Sequence, residues 1–255
     1  MKDTGPPATL FALALQFLTR LPSGRGHGFS PERLAEATRW FPMVGVIVGA
    51  LGAAAYLVAA TLLTPTFAAI AATGVTVLAT GALHEDGLAD TADGLGGGSS
   101  REHALEIMRD SRIGTYGTLA LGLTVAAQIA LLASLPIPLA MAGLVAAHAL
   151  SRGAVVVIMA SMPYARLTGA GSFAAKGVST VALVIAGATS LVVLLVLAWS
   201  AGLSAALTTC LLVSAISWAM ARFLHRRLGG WTGDGLGCTQ QLGLLAALVG
   251  LSVWV

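Results

Sequence analysis

Seven long runs of the chain carry almost no charge, and this property limits the fold more than any motif does. They cover about 41–63, 66–83, 115–134, 138–160, 178–199, 204–223 and 241–255. About twenty apolar residues, rising about 1.5 Å each as an α-helix, cross the roughly 30 Å hydrocarbon core of a bilayer. Charged residues are 10% of the 255, against about 25% in soluble proteins. The expected fold is all-α: one polytopic integral membrane helical bundle over residues 1–255, with about seven transmembrane helices. The last run has only fifteen residues, so its crossing stays open. A short apolar helix at about 8–19 is expected to lie in the interface, re-enter or cross with tilt.

The connections alternate in charge. Thr64-Pro65, Pro136-Ile137-Pro138 and Ser200–Leu203 have none, whereas 20–39, 84–113, 162–177 and 222–240 hold nearly all of it. Only Lys2, Asp3 and Arg152 fall outside those four segments. Arg and Lys concentrate in cytoplasmic loops, so the charged segments are expected on the cytoplasmic side. A transporter more often places polar groups along the membrane midplane. Chemistry gathered at one face favours an enzyme for polar cytoplasmic substrates. Cys210 and Cys238, one expected in a span and one in a loop, form no disulfide framework or zinc pattern, and the N-terminus lacks a clear signal peptide.

Residues 84–94 read His-Glu-Asp-Gly-Leu-Ala-Asp-Thr-Ala-Asp-Gly. Asp86, Asp90 and Asp93 stand at i, i+4 and i+7, one face of a helix. Three like charges on one stripe repel unless a cation joins them. Oxygen ligands of this kind suit Mg²⁺, which leaves coordination positions for phosphate or water. The three Asp are therefore the candidate metal ligands. His84 is a candidate general base, and Glu85 a supporting neighbour.

Other polar groups adjoin the spans. Gly96–Ser100 is expected to be a flexible linker or lid, with Ser99 or Ser100 capping a helix over Arg101–Arg109. Arg109 and Arg112 can clamp phosphates, and Asp110 between them is a second candidate base or metal ligand. His148 and Arg152 lie i, i+4 inside an apolar span, where an Arg costs on the order of 3 kcal/mol or more and so faces a polar cavity or an anion. Tyr164 and Arg166 follow in the next charged segment. Arg226 and Arg227 precede Gly229-Gly230-Trp231-Thr232-Gly233-Asp234-Gly235-Leu236-Gly237, whose glycines allow close backbone approach to a ligand.

In order and number these motifs make the chain resemble the cobalamin synthase family, the adenosylcobinamide-GDP ribazoletransferases. The resemblance runs nearly end to end: Leu18-Thr19-Arg20-Leu21-Pro22, Phe41-Pro42-x2-Gly45, His84-x-Asp86-Gly87-Leu88-Ala89-Asp90-x2-Asp93-Gly94, Met108-Arg109-Asp110-Ser111-Arg112-x-Gly114-Thr115, Ser151-Arg152, Tyr164-Ala165-Arg166 and Thr232-Gly233-Asp234-x-Leu236-Gly237. It implies Mg²⁺-dependent attack of a ribazole hydroxyl on the phosphoryl group of adenosylcobinamide-GDP, with GMP leaving, in the cell inner membrane. The acceptor would be α-ribazole or its 5′-phosphate, and the product adenosylcobalamin or its phosphate. Under that resemblance Arg20, Arg152 and Arg166 contact substrate phosphates or corrin amides, with Tyr164 and Thr232 also at the substrates. Asp234 would bind a ribose hydroxyl or a second metal. The chain departs from the family where Gln240, Gln241 and Leu244 stand in a stretch that commonly carries Glu.

Partners expected on this basis are the corrinoid nucleotide and α-ribazole substrates, the bilayer, other late cobalamin-pathway enzymes and a further copy of the chain, with no nucleic acid. Two rivals remain. A CDP-alcohol phosphotransferase also uses Asp at helix ends, but after Asp90-x2-Asp93-Gly94 its Ala-Arg is missing. A cation transporter would continue polar residues through the midplane, and apart from His148, Arg152, Gln128 and scattered Ser or Thr that path is absent.

Overall fold

The structure, a computed structural model, describes residues 7–24, 28–166, 170–175 and 177–255. Parts of the charged segments 20–39 and 162–177 lie outside the described residues. The helices in chain order are α1 (Pro7–Leu18), α2 (Pro31–Ala37), α3 (Phe41–Ala60), α4 (Pro65–Thr80), α5 (Leu83–Gly97), α6 (Arg101–Ile107), α7 (Thr115–Ser134), α8 (Ile137–Ser161), α9 (Thr180–Ala201), α10 (Leu203–Leu228) and α11 (Gly233–Ser252). Short 3₁₀ turns occupy Thr38–Trp40 and Ala170–Ala174. Among the described residues six helical segments are long and apolar enough to cross a membrane, and α4 with α5 brings the count to up to seven. The all-α membrane bundle is as expected.

Side-chain oxygens set many of the boundaries. Ser30, Thr64, Ser100, Ser179 and Thr232 each accept a backbone N–H from the first turn of α2, α4, α6, α9 and α11, the usual remedy for unsatisfied amides at a helix start. Between α3 and α8 the backbones nearly touch. A Cβ on Gly49 would lie 2.6 Å from the Leu144 carbonyl oxygen, and one on Gly45 would run into the His148 backbone. Small residues allow this approach without a hydrophobic drive between helices in lipid.

The run expected at 66–83 does not continue straight into the acidic segment. α4 ends at Thr80, and α5 leaves at 89° to it. Gly81 and Ala82 both adopt left-handed backbone, with φ of 66° and 59°. Ala82 is the one non-glycine residue with positive φ among the described residues, a conformation an alanine holds only where its surroundings enforce it. The Gly81 and Ala82 amides donate to the Leu78 and Val77 carbonyls at 3.3 and 3.0 Å. The Arg20 side chain lies where a Gly81 side chain would stand. α5 therefore does not prolong α4 but packs along α7 and α11.

The segment 222–240 was expected as a loop, and the structure corrects this. α10 runs on to Leu228, only Gly229–Thr232 turn, and α11 begins at Gly233. The final helix is thus 20 residues long, enough to cross, and Cys238 lies within it. The glycines serve helix packing: a Cβ on Gly87 would sit 2.9 Å from the Asp234 carbonyl oxygen, and one on Gly237 would sit 3.2 Å from the Gly87 Cα. The stretch 84–113 likewise holds two helices. Gly96 and Gly97 finish α5, and Gly98 packs on Ala104, so 96–98 is a packed turn where a flexible linker was expected.

Gly237→Val should force α5 and α11 apart. Overpacking of this sort costs about 1–3 kcal/mol, so thermal unfolding of the detergent-solubilised variant is expected several degrees below wild type. An unchanged transition would contradict the contact.

Candidate active site

The turn between α10 and α11 is zipped to the segment after α8. The Ala165 amide donates to Trp231 O at 2.8 Å, Trp231 N to Pro163 O at 3.0 Å, and the Trp231 indole to Met162 O at 3.0 Å. A side chain on Gly230 would strike the Pro163 carbonyl, so the glycine permits the zip. Tyr164 packs on Trp231 with ring centroids 4.7 Å apart. Arg166 is thereby carried to Asp234 in the first turn of α11, an ion pair of 2.8 Å. Thr232 acts as the cap of α11, its hydroxyl accepting from Gly235 N at 2.9 Å.

Beneath this turn is a cavity of about 120 Å³. His84 and Asp86 of α5, Arg152 of α8 and Asp234 of α11 all line it. Arg152 is 1% exposed. One of its terminal nitrogens contacts His148 O at 3.0 Å and His148 Nδ1 at 3.1 Å, while Nε and the other terminal nitrogen have no hydrogen-bond partner in the protein. Glu85 attracts it electrostatically without a hydrogen bond. Glu85 instead accepts from Gln241 at 2.9 Å, and Gln240 donates to Ser151 at 3.0 Å. At position 241 the amide donates to Glu85, which an ionised glutamate there could not do.

Asp86 and Asp90 share one face of α5, next to Asp234. Burial first, then the charges of Asp86 and Asp234, push the Asp90 carboxyl up to about 7, against the pull of Arg166. Carboxylates crowded in this way accommodate a cation. Asp93 is differently engaged. Its two oxygens accept the Gly114 and Gly117 amides at 2.7 and 2.8 Å, capping α7, whose own cap residue Gly114 has no side chain to offer. Among the described residues no three His, Cys, Asp or Glu groups gather closely enough to enclose an ion by themselves. A Mg²⁺ site would rest on one or two carboxylates completed by phosphate and water, the commoner arrangement for that ion.

The structure does not bring every candidate to this place. Asp110 and Arg112 pair with each other, with Arg112 Nε 3.0 Å from Asp110 Oδ1, on an exposed turn. The Arg112 guanidinium beside it holds the Asp110 carboxyl down at about 2. Asp110 and Arg109 line a shallow depression with His103, Glu106 and Ile107, away from the cavity. Arg20 sits at the α4–α5 hinge. Two residues outside the expected set prove central to the arrangement. Arg101 donates to Leu228 O at 2.7 Å and Ala165 O at 2.8 Å, and Arg227 to Leu95 O and Gly98 O at 3.1 and 3.2 Å. They tie α6, α10, the end of α5 and the 163–166 segment together through carbonyls, which no spacing rule could have signalled.

Asp93→Ala removes the cap of α7 and is expected to cost about 1 kcal/mol, read as a lowered unfolding midpoint in buffer without divalent metal. A midpoint equal to wild type would deny the capping role.

The model of the cobalamin-5-phosphate synthase family matches residues 10–252. A protein of Bradyrhizobium diazoefficiens named adenosylcobinamide-GDP ribazoletransferase is 43% identical over 240 residues, covering 93% of this chain and 90% of its own. Proteins of the same name from Ralstonia nicotianae and Shewanella woodyi are 41% identical over 246 residues and 38% over 253, covering 95% and 96% of this chain and 94% and 97% of their own. No solved structure matches the chain. With a family model and relatives aligned along nearly its whole length, this chain belongs to the cobalamin-5-phosphate synthase family.

Proposed function

We propose that the protein is an adenosylcobinamide-GDP ribazoletransferase, working at the cytoplasmic face of the inner membrane with Mg²⁺ and accepting α-ribazole or its 5′-phosphate. The observation that carries this reading is the convergence of His84, Asp86, Arg152 and Asp234, from three separate helices, on one cavity. The names of the relatives supply the substrates, and the gathering of Arg in the segments that alternate with uncharged turns supplies the orientation.

In this reading a ribazole hydroxyl oxygen forms a bond to the phosphorus on the cobinamide aminopropanol arm. The bond from that phosphorus to the bridging oxygen breaks, and GMP leaves with the electron pair. Asp86 and Asp90 would hold the metal ion, with Asp234 beside them. Bound Mg²⁺ would neutralise charge on the phosphoryl oxygens. Arg166, held at Asp234, stands where it can meet the leaving nucleotide. His84 is the better proton acceptor of the two candidates, because it lines the cavity, whereas Asp110 is exposed and locked to Arg112. Asp93 serves the neighbouring ligands by fixing α5 against α7.

The test is turnover of purified protein in liposomes with adenosylcobinamide-GDP and α-ribazole phosphate, following corrinoid product and GMP. Equal amounts of both, dependent on Mg²⁺, are expected, and Asp90→Asn should abolish them. No product from folded wild-type protein would refute the assignment. General acid–base groups contribute about 10²–10⁴-fold, so His84→Gln is expected to lower kcat at least about a hundredfold and Asp110→Asn by less than about tenfold. The reverse ranking would exchange their roles.

A further inference from the structure

α10 is longer than the membrane it crosses. Its 26 residues rise about 39 Å, against a hydrocarbon core of roughly 30 Å. Measured from the uncharged Gly202 turn, Trp218 stands about 22 Å along the helix and Arg222 about 28 Å. The turn that carries Arg222, His225 and Arg226 therefore lies among the lipid headgroups. Trp218 is 68% exposed, at the depth where amphipathic rings mark the interface. The Arg222 guanidinium sits 5.9 Å from the centre of that ring, a contact that holds the side chain along the helix. Arg222, His225 and Arg226 are all exposed, and among the described residues no carboxylate pairs with any of them.

An apolar groove of about 470 Å³ opens between α10 and α11 just inside this turn. Ala215, Ile216 and Ala219 form one side, and Leu242, Ala246 and Val249 the other. Ala215, Ala219, Arg222 and Arg226 stand at i, i+4, i+7 and i+11, one face of the helix. The groove thus leads up to the two guanidiniums. It shares no residue with the cavity that holds His84 and Arg152.

Shape and charge select the occupant. On α10 the groove extends over residues 212–219, about 10 Å of helix. A further α-helix, about 10 Å across, would fill about 800 Å³ over that length, more than the groove holds, whereas an acyl chain is far thinner. The lining offers a polar ligand no hydrogen bond. At its upper end two unpaired Arg present the planar forks that suit phosphate oxygens. A choline headgroup would bring a cation against them, and an anionic glycerol headgroup brings none.

We propose that this groove and its two Arg form a site for one anionic phospholipid. An acyl chain lies against Ala215, Ala219 and Ala246, and the headgroup phosphate bridges Arg222 and Arg226. The lipid covers the seam between α10 and α11 and ties the end of α10 to the membrane surface.

The test is native mass spectrometry of the full-length protein in detergent, with phosphatidylglycerol and phosphatidylcholine of the same acyl chains added in equal amounts. Wild type is expected to retain one phosphatidylglycerol, at least about tenfold more tightly than phosphatidylcholine. Replacing both cations, Arg222→Gln with Arg226→Gln, should remove that preference. Ala219→Phe fills the groove and should weaken phosphatidylglycerol binding at least about tenfold with both Arg in place. All three positions are exposed, so both variants should unfold at the wild-type temperature in lipid-free detergent, which separates a lost site from a lost fold. Equal retention of the two lipids by wild type overturns the proposal, as does wild-type phosphatidylglycerol binding in either variant. Lipid-free wild-type dimers that Ala219→Phe converts to monomers would give the face to a second copy of the chain and overturn it too.

Discussion

The near-contact of backbones at Gly87 and Gly237 holds the site together. α5 meets α11 there with no side chain between them, so Asp86 and Asp90 on one helix come beside Asp234 on the other. The contact depends in turn on the hinge at Gly81 and Ala82. Were α4 to continue straight, its carboxylates would extend away from the bundle as an exposed rod. The 89° turn lays them against α7 and the first turns of α11 instead.

Arg152 shows the opposite choice, a charge kept inside. Placing it there is expensive unless it is paired and hydrogen-bonded. His148 and the electrostatic pull of Glu85 offset part of that cost, and Gln241 holds Glu85 in position. The remainder is left for whatever occupies the cavity, since two donor groups of the guanidinium have no partner in the protein. A group so placed is poor at stabilising an empty fold and well suited to recognising a ligand, because it needs no reorganisation at binding.

The bundle was legible because hydrocarbon leaves a strong mark on a sequence. Apolar length placed α3, α7, α8, α9 and α10 near their observed positions, and the spacing of Asp86, Asp90 and Asp93 was helical as read. Glycine was what misled. In soluble loops it marks flexibility and in membrane bundles close packing, so Gly233, Gly235 and Gly237 looked like a loop and are the first turns of α11. Burial could be argued for Arg152 from its flanks, but its companions could not, because Glu85, Ser151 and Gln241 meet only in three dimensions. Asp93 shared the stripe of its neighbours, yet its oxygens went to amides of α7, a partner that only the tertiary fold supplies. The ties made by Arg101 and Arg227 end on carbonyls, which have no sequence signature.

The proposed cation site is Asp86 and Asp90, brought beside Asp234 by the α5–α11 contact, while Asp93 caps α7. Electron paramagnetic resonance of Mn²⁺ titrated into the purified protein tests it most directly. The account predicts a bound ion that Mg²⁺ displaces, lost in Asp86→Asn and Asp90→Asn but retained in Asp93→Asn. Retention in the first two variants with loss in the third would contradict it.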